Sequence, residues 1–146
     1  MTVRPLTRIL TVALALVSAF AAWSWLRPYE WKADPVARFQ IRQARVTRDH
    51  SNYWVDVFLK GADHDLQKRV SLETANGRRL DPADTTLSGD EGKGITELWF
   101  RFWLDPADFS GPLKLHLNDG TLVVRSASGP PALESGANKV FLTNSW

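Results

Sequence analysis

The chain has 146 residues, no cysteine and a formal net charge of +2. That length suits one ordinary domain. The absence of cysteine excludes disulfide frameworks, thiolate zinc sites, haem attachment through cysteine and cysteine nucleophiles from these residues. A pI near 9.2 raises nucleic-acid binding as a question, and the placement of charge answers it. Four of the 18 basic residues, Arg4, Arg8, Arg27 and Lys32, flank one apolar run, and of the 16 acids only Glu30 lies before Ala33. From Ala33 onward the chain therefore holds 14 basic and 15 acidic side chains. It is near neutral and shows no basic stripe, so nucleic acid is not an expected partner.

Residues Ile9 to Leu26 carry no charge. As a helix at about 1.5 Å per residue they span about 27 Å, close to a bilayer's hydrocarbon thickness of about 30 Å. Pro28 lies just beyond, where a helix stops. A cleaved signal peptide is one reading: Arg4 and Arg8 form a basic start, Ile9 to Val17 an apolar stretch and Ala19-Phe20-Ala21 a small-residue site. The apolar run continues past that site into Trp23, Trp25, Tyr29 and Trp31, the aromatic belt of a helix leaving the bilayer. The expectation is an uncleaved anchor with those four residues at the membrane interface. Arg4 and Arg8 place the N-terminus in the cytoplasm by the positive-inside rule. In a bacterium the protein would be single-pass in the inner (cytoplasmic) membrane, with its C-terminal domain in the periplasm. The expected organisation is a cytoplasmic 1–8, a transmembrane signal-anchor 9–27, a juxtamembrane linker 28–37 and a β-domain 38–146.

After the leader no stretch holds a helical period; short alternating segments do. Phe39 and Ile41 alternate with polar residues, and Ala44 and Val46 resume one position out of phase, which predicts a bulge. Tyr53, Val55, Val57 and Leu59 share one face of a second strand; Trp54, Asp56, Phe58 and Lys60 share the other. Val70, Leu72 and Thr74 predict a third strand, closed by Asn76-Gly77, a hairpin signal. Leu80 and Leu87 fall in a Pro- and Asp-rich connection with at most a short edge strand, and Ser88 to Gly94 reads as an exposed loop. Leu98, Phe100, Phe102 and Leu104 predict a strongly apolar strand face. Pro106 to Phe109 reads as a corner. Leu113, Leu115 and Leu117 form another strand, Asn118-Asp119-Gly120 a tight turn into Leu122 to Arg125, Ser126 to Gly136 a loop, and Val140 to Thr143 a last strand. Six to eight short strands predict a mostly β fold, an antiparallel immunoglobulin- or fibronectin-like β-sandwich behind one transmembrane helix.

Catalytic motifs are weak. His50 and His64 lie in polar turns beside Asp49, Asp63 and Asp65, where such residues are common for backbone reasons. His116 alternates outward on a strand. There is no G-x-S-x-G and no phosphate loop around Gly92-Lys93-Gly94. The expectation is a non-enzyme without metal or cofactor; a hydrolase or metal enzyme using Asp63, His64 and Asp65 is the third choice.

The informative feature is aromatic. Trp99, Arg101 and Trp103 lie opposite the apolar face of their strand, as do Trp54 and Phe58 on theirs. A half-buried sheet needs one apolar face per strand, and Trp and Arg are the residues most enriched at interface hot spots. The expectation is a membrane-anchored accessory or assembly subunit. Trp54, Phe58, Trp99, Arg101 and Trp103 would dock on other protein subunits of a respiratory, photosynthetic, secretion or transport complex, with the lipid bilayer as the second partner. The alternative is an anchored glycan- or small-molecule-binding module of the cell envelope, using the same rings with Asp56.

Overall fold

The structure is a computed structural model describing residues 5–26, 31, 34–63 and 69–146. These form one α-helix, nine β-strands and a short 3-10 helix. Helix α1 spans Pro5–Leu26 and is exposed wherever its side chains are described. Within Pro5–Trp25 an 18-residue window reaches a mean hydropathy of 1.8, so the helix is long and apolar enough to cross a membrane. It fits an anchor or a signal sequence equally by that measure.

Strands β1 (Phe39–Asp49), β2 (Asn52–Asp63), β5 (Asp84–Asp90), β6 (Gly94–Leu104) and β9 (Asn138–Phe141) form one antiparallel sheet in the order β5-β6-β2-β1-β9. Strands β3 (Ser71–Glu73), β4 (Arg79–Leu80), β7 (Leu113–Leu117) and β8 (Gly120–Arg125) form a second, in the order β4-β3-β7-β8. One hydrophobic core joins them. Phe39, Ile41, Ala44 and Val46 enter it from β1, on either side of a bulge between Ile41 and Gln43 that restores the inward phase. Tyr53, Val55, Val57 and Leu59 enter from β2, and Leu98, Phe100, Phe102 and Leu104 from β6. Leu72, Leu113, Leu115, Leu117, Leu122 and Val124 meet them from the second sheet. Alternation with period two therefore separates a buried from an open face on each central strand.

Connections follow local chemistry. Asn118 and Asp119 have φ of 50° and 69°, the left-handed pair that a two-residue hairpin requires and that Asn and Asp tolerate. Between β6 and β7, Pro106–Phe109 is a 3-10 helix closed by a capping box. The Asp108 N–H donates to the Asp105 carboxylate at 3.1 Å and the Asp105 N–H to the Asp108 carboxylate at 3.0 Å. This corner turns the chain from one sheet to the other and sets Phe109 in the core.

Three expectations need correction. The stretch read as a connection and an exposed loop contains β5, a seven-residue edge strand paired along β6 from Asp84↔Arg101 to Asp90↔Gly94, with the turn confined to 91–93. All seven of its residues are exposed, so no alternation marks it in the sequence. Residues 28–37 are not simply a linker, because Trp31 and Ala37 belong to the core. Trp31, expected at the membrane interface, is 3 % exposed, and its indole Nε1 donates to the Val124 carbonyl at 2.9 Å. A bulky ring with one polar atom reaches its best environment where the core also offers an acceptor. From there the chain lies along β8: the Thr121 N–H donates to the Asp34 carboxylate at 2.9 Å, and Ala37 packs so tightly on Gly120 that a Cβ there would fall 2.5 Å from the Ala37 nitrogen.

Candidate functional site

The open face of the five-stranded sheet is built by the outward residues of β1, β2, β5 and β6. Strand register sorts them into rows. One row runs Val140, Arg45, Asp56, Arg101, Asp84 across all five strands. Its four charged side chains alternate in sign, so the row carries no net charge. Arg101 Nε lies 3.1 Å from the Asp56 carboxylate. On one side of this row Trp54 pairs with Trp103, their ring centroids 4.4 Å apart, and the Arg101 guanidinium lies 4.7 Å from the Trp54 ring. On the other side Phe58 stacks on Trp99 at 4.5 Å and 28°. Beyond that pair, Lys60 and Glu97 face each other at 3.7 Å.

All five residues predicted to bind a partner, Trp54, Phe58, Trp99, Arg101 and Trp103, thus lie on one continuous face, as cross-strand neighbours. Trp103 is the most open of the four rings, at 38 % exposure. Cross-strand aromatic pairs contribute about 0.2–1 kcal/mol each to a sheet, so part of their role is to hold β2 on β6. Trp54, Phe58 and Trp99 are half-buried, and Trp103 is open to solvent.

Sequence reading missed Arg45, Asp84 and Thr86. With Asp56, Trp99, Phe100 and Arg101 they line a shallow depression of about 360 Å³. Arg45 was within reach, since Gln43, Arg45 and Thr47 alternate outward after the bulge. Asp84 and Thr86 were not, because the short edge strand allowed near Leu87 had neither bounds nor a partner strand. Burial among these groups pushes the Asp56 carboxyl above its ordinary value; Arg101 and Arg45 pull it down and Asp84 pushes it up. A folded carboxyl with a raised pKa binds its proton more tightly than the unfolded chain does. Its contribution to stability therefore falls as pH rises from the ordinary value of 3.8 through the folded value. Asp56→Asn is expected to remove that fall: urea midpoints at neutral pH should be unchanged or higher than wild type, while the advantage of mild acid disappears.

Other predicted residues have different roles. Trp23 and Trp25 on α1 are 54 % and 91 % exposed. Tyr29, His64 and Asp65 lie outside the described residues. Asp63 is buried in a polar tie, 2.7 Å from Arg38 Nη1 and accepting from Asn118 Nδ2 at 2.9 Å. His50 lies at 2.8 Å from the adjacent Asp49 carboxylate in an exposed turn. His116 contacts Glu73 across β3 and β7, a contact that holds the Glu73 carboxyl below the ordinary value. Among the described residues no three His, Asp or Glu side chains gather as metal ligands do. No protein-family model, curated protein or solved structure matches the chain.

Proposed function

We propose that the protein is a non-enzymatic accessory subunit, anchored by α1, whose open aromatic face docks on a larger membrane protein complex. The observation that carries this reading is the continuous face of Trp54, Trp103, Phe58 and Trp99 around a charge row that is already neutral. Such a face offers large, rigid contact area with a central Arg, the composition of interface hot spots. Because its charges are matched within the sheet, a partner need bring no countercharge, and association is expected to weaken little as salt rises. The anchor reading places the N-terminus in the cytoplasm and the β-domain in the periplasm of a bacterial inner membrane, on the strength of Arg4 and Arg8. The proposed architecture is an immunoglobulin-like sandwich. The strand orders support it: β1-β2-β6-β5 and β4-β3-β7-β8 follow the order of strands A-B-E-D and C′-C-F-G, with β9 added beside the first strand.

The test is gentle detergent extraction of the native membrane, with size analysis and mass spectrometry of what travels with the chain. Wild type is expected in a large assembly. Trp103→Ala is expected to weaken that association by about 2 kcal/mol or more, some 30-fold, while unfolding stability falls by no more than the contribution of a cross-strand pair, about 1 kcal/mol. A wild-type chain that travels alone, or a variant that co-purifies unchanged, overturns the assignment. A second reading, an envelope glycan- or small-molecule-binding module, draws on the depression between Trp99, Arg101 and Asp56. It predicts saturable binding of free oligosaccharide by the protein without other subunits, abolished by Trp99→Ala.

A further inference from the structure

The burial of Trp31 limits how far the β-domain can stand from its anchor. Four residues separate Leu26, the last residue of α1, from Trp31 in the core. Five Cα steps cover at most about 18 Å even when fully extended. Each polar layer of a bilayer is about 5–8 Å thick. If α1 spans the hydrocarbon, much of that reach is used in crossing the headgroups.

The place where the chain meets the domain is defined. Trp31 lies where β8 of one sheet approaches β1 and β9 of the other. The Val124 carbonyl accepts from Trp31 Nε1 at 2.9 Å and from Trp146 Nε1 at 3.2 Å. Gln40 Nε2 donates to the Trp31 carbonyl at 3.0 Å, and the Ser126 N–H to the Asn144 carbonyl at 2.7 Å. The two tryptophans thus close the seam between the sheets on the side nearest the anchor.

Exposed apolar side chains are also more frequent along this edge of the sandwich, with Val140 on the outer face of the five-stranded sheet and Val123 on that of the four-stranded sheet. Among the described residues of the β-domain, the exposed large apolar side chains are Val36, Leu87, Trp103, Val123, Val140 and Leu142. Four of the six, Val36, Val123, Val140 and Leu142, belong to the segment after Trp31, to β8, or to β9 and its extension. Leu142 is the most open of the six, at 66 %. It directly follows Phe141, whose ring stacks on Trp146 at 5.0 Å and 15°. Leu87, by contrast, is on β5, at the opposite edge of the sheet from β9. An exposed leucine on a domain held by a short tether to a membrane has an apolar medium within reach.

We infer that the β8–β9 seam is a lipid-contacting surface: the domain lies against the bilayer that holds α1, with Leu142 and Val140 at the headgroup–acyl boundary. This rests on the anchor reading. It leaves β5 and the β6 end of the aromatic face directed away from the lipid, where another subunit can reach them.

Single-cysteine labelling tests it without background, since the chain has no cysteine. The full chain carrying Leu142→Cys, Val140→Cys or Leu87→Cys is reconstituted at low density in vesicles of anionic and zwitterionic phospholipid. Each cysteine receives a nitroxide, and collision with oxygen is compared with collision with a water-soluble nickel chelate. Labels at 142 and 140 are expected to meet the chelate roughly fivefold less often than the label at 87, with oxygen collisions raised, as befits side chains about 5–10 Å into the interface. An embedded chain whose label at 142 is as open to the chelate as that at 87 overturns the inference alone. Shielding that grows with protein density, with oxygen collisions low, assigns the seam to a second copy and also overturns it. A chain stripped from the vesicles by alkaline carbonate overturns the anchor and the inference together.

Discussion

Trp31→Ala is expected to lower the unfolding free energy of the β-domain by about 3–5 kcal/mol, the range for deleting a buried aromatic ring. Small domains hold about 5–15 kcal/mol in all, so one substitution outside the predicted domain boundary would remove much of the fold's reserve. Two contributions can be separated. The ring fills a place in the core at 3 % exposure, and its Nε1 donates to the Val124 carbonyl. Trp31→Phe keeps most of the ring and loses the hydrogen bond. Val124 retains its bond from Trp146 Nε1, so no orphaned acceptor results and the cost should be about 1–2 kcal/mol. Urea unfolding of the full chain in mild detergent, followed by near-ultraviolet circular dichroism, measures both. The same argument applies to fragments. A chain beginning at Ala33 should be less stable than one beginning before Trp31 by about the Trp31→Ala difference. Equal midpoints for those two fragments would show that Trp31 decorates the core without supporting it.

Trp31 also shows where sequence reading stops. The interiors of β1, β2, β6 and β7 were legible because each strand is half-buried, so apolar and polar residues alternate; even the β1 bulge left its phase slip. The open aromatic face was legible for the converse reason: Trp54, Phe58, Trp99 and Trp103 are apolar where a solvated face needs none. Strand β5 was legible only as room for a short edge strand near Leu87; its run through Asp90 and its pairing were not. Both its faces are exposed, and it is held by backbone pairing to β6, which leaves no mark on composition. Trp31 sits among Trp23, Trp25 and Tyr29, and local reasoning groups it with them. Its environment is fixed by a carbonyl 93 residues away. Strand register has the same non-local character. It brought residues predicted on two strands together as the pairs Trp54–Trp103 and Phe58–Trp99, and it added Arg45 and Asp84 to Asp56 and Arg101 to make a neutral row.

Arg125→Ala is expected to cost about 2–4 kcal/mol, and Arg125→Met much less, about 1 kcal/mol or below. Arg125 ends β8 and is 3 % exposed. Its Nε donates to the Trp146 carbonyl and its Nη2 to the Gly129 carbonyl. The guanidinium lies 5.2 Å from the Phe109 ring and 5.0 Å from the Trp146 ring. Nη1 has no partner among the described residues, and burial pulls the pKa below the ordinary arginine value. Desolvation therefore offsets much of what the two hydrogen bonds and the two rings return. Alanine removes the stem that packs between Phe109 and Trp146 and leaves a cavity beside two carbonyls. Methionine keeps an apolar body in that space and takes away the cation that is costly to bury. A double-mutant cycle with Trp146→Ala separates packing from charge. Trp146→Ala keeps the main-chain oxygen that accepts from Nε and removes only the ring, so if the guanidinium's contact with that ring dominates, Trp146→Ala should destabilise wild type more than it destabilises Arg125→Met. If packing dominates, the two losses should be equal. Either way Arg125 couples residues 142–146 to the seam that Trp31 closes, so loosening it should also raise the water exposure of a label at position 142.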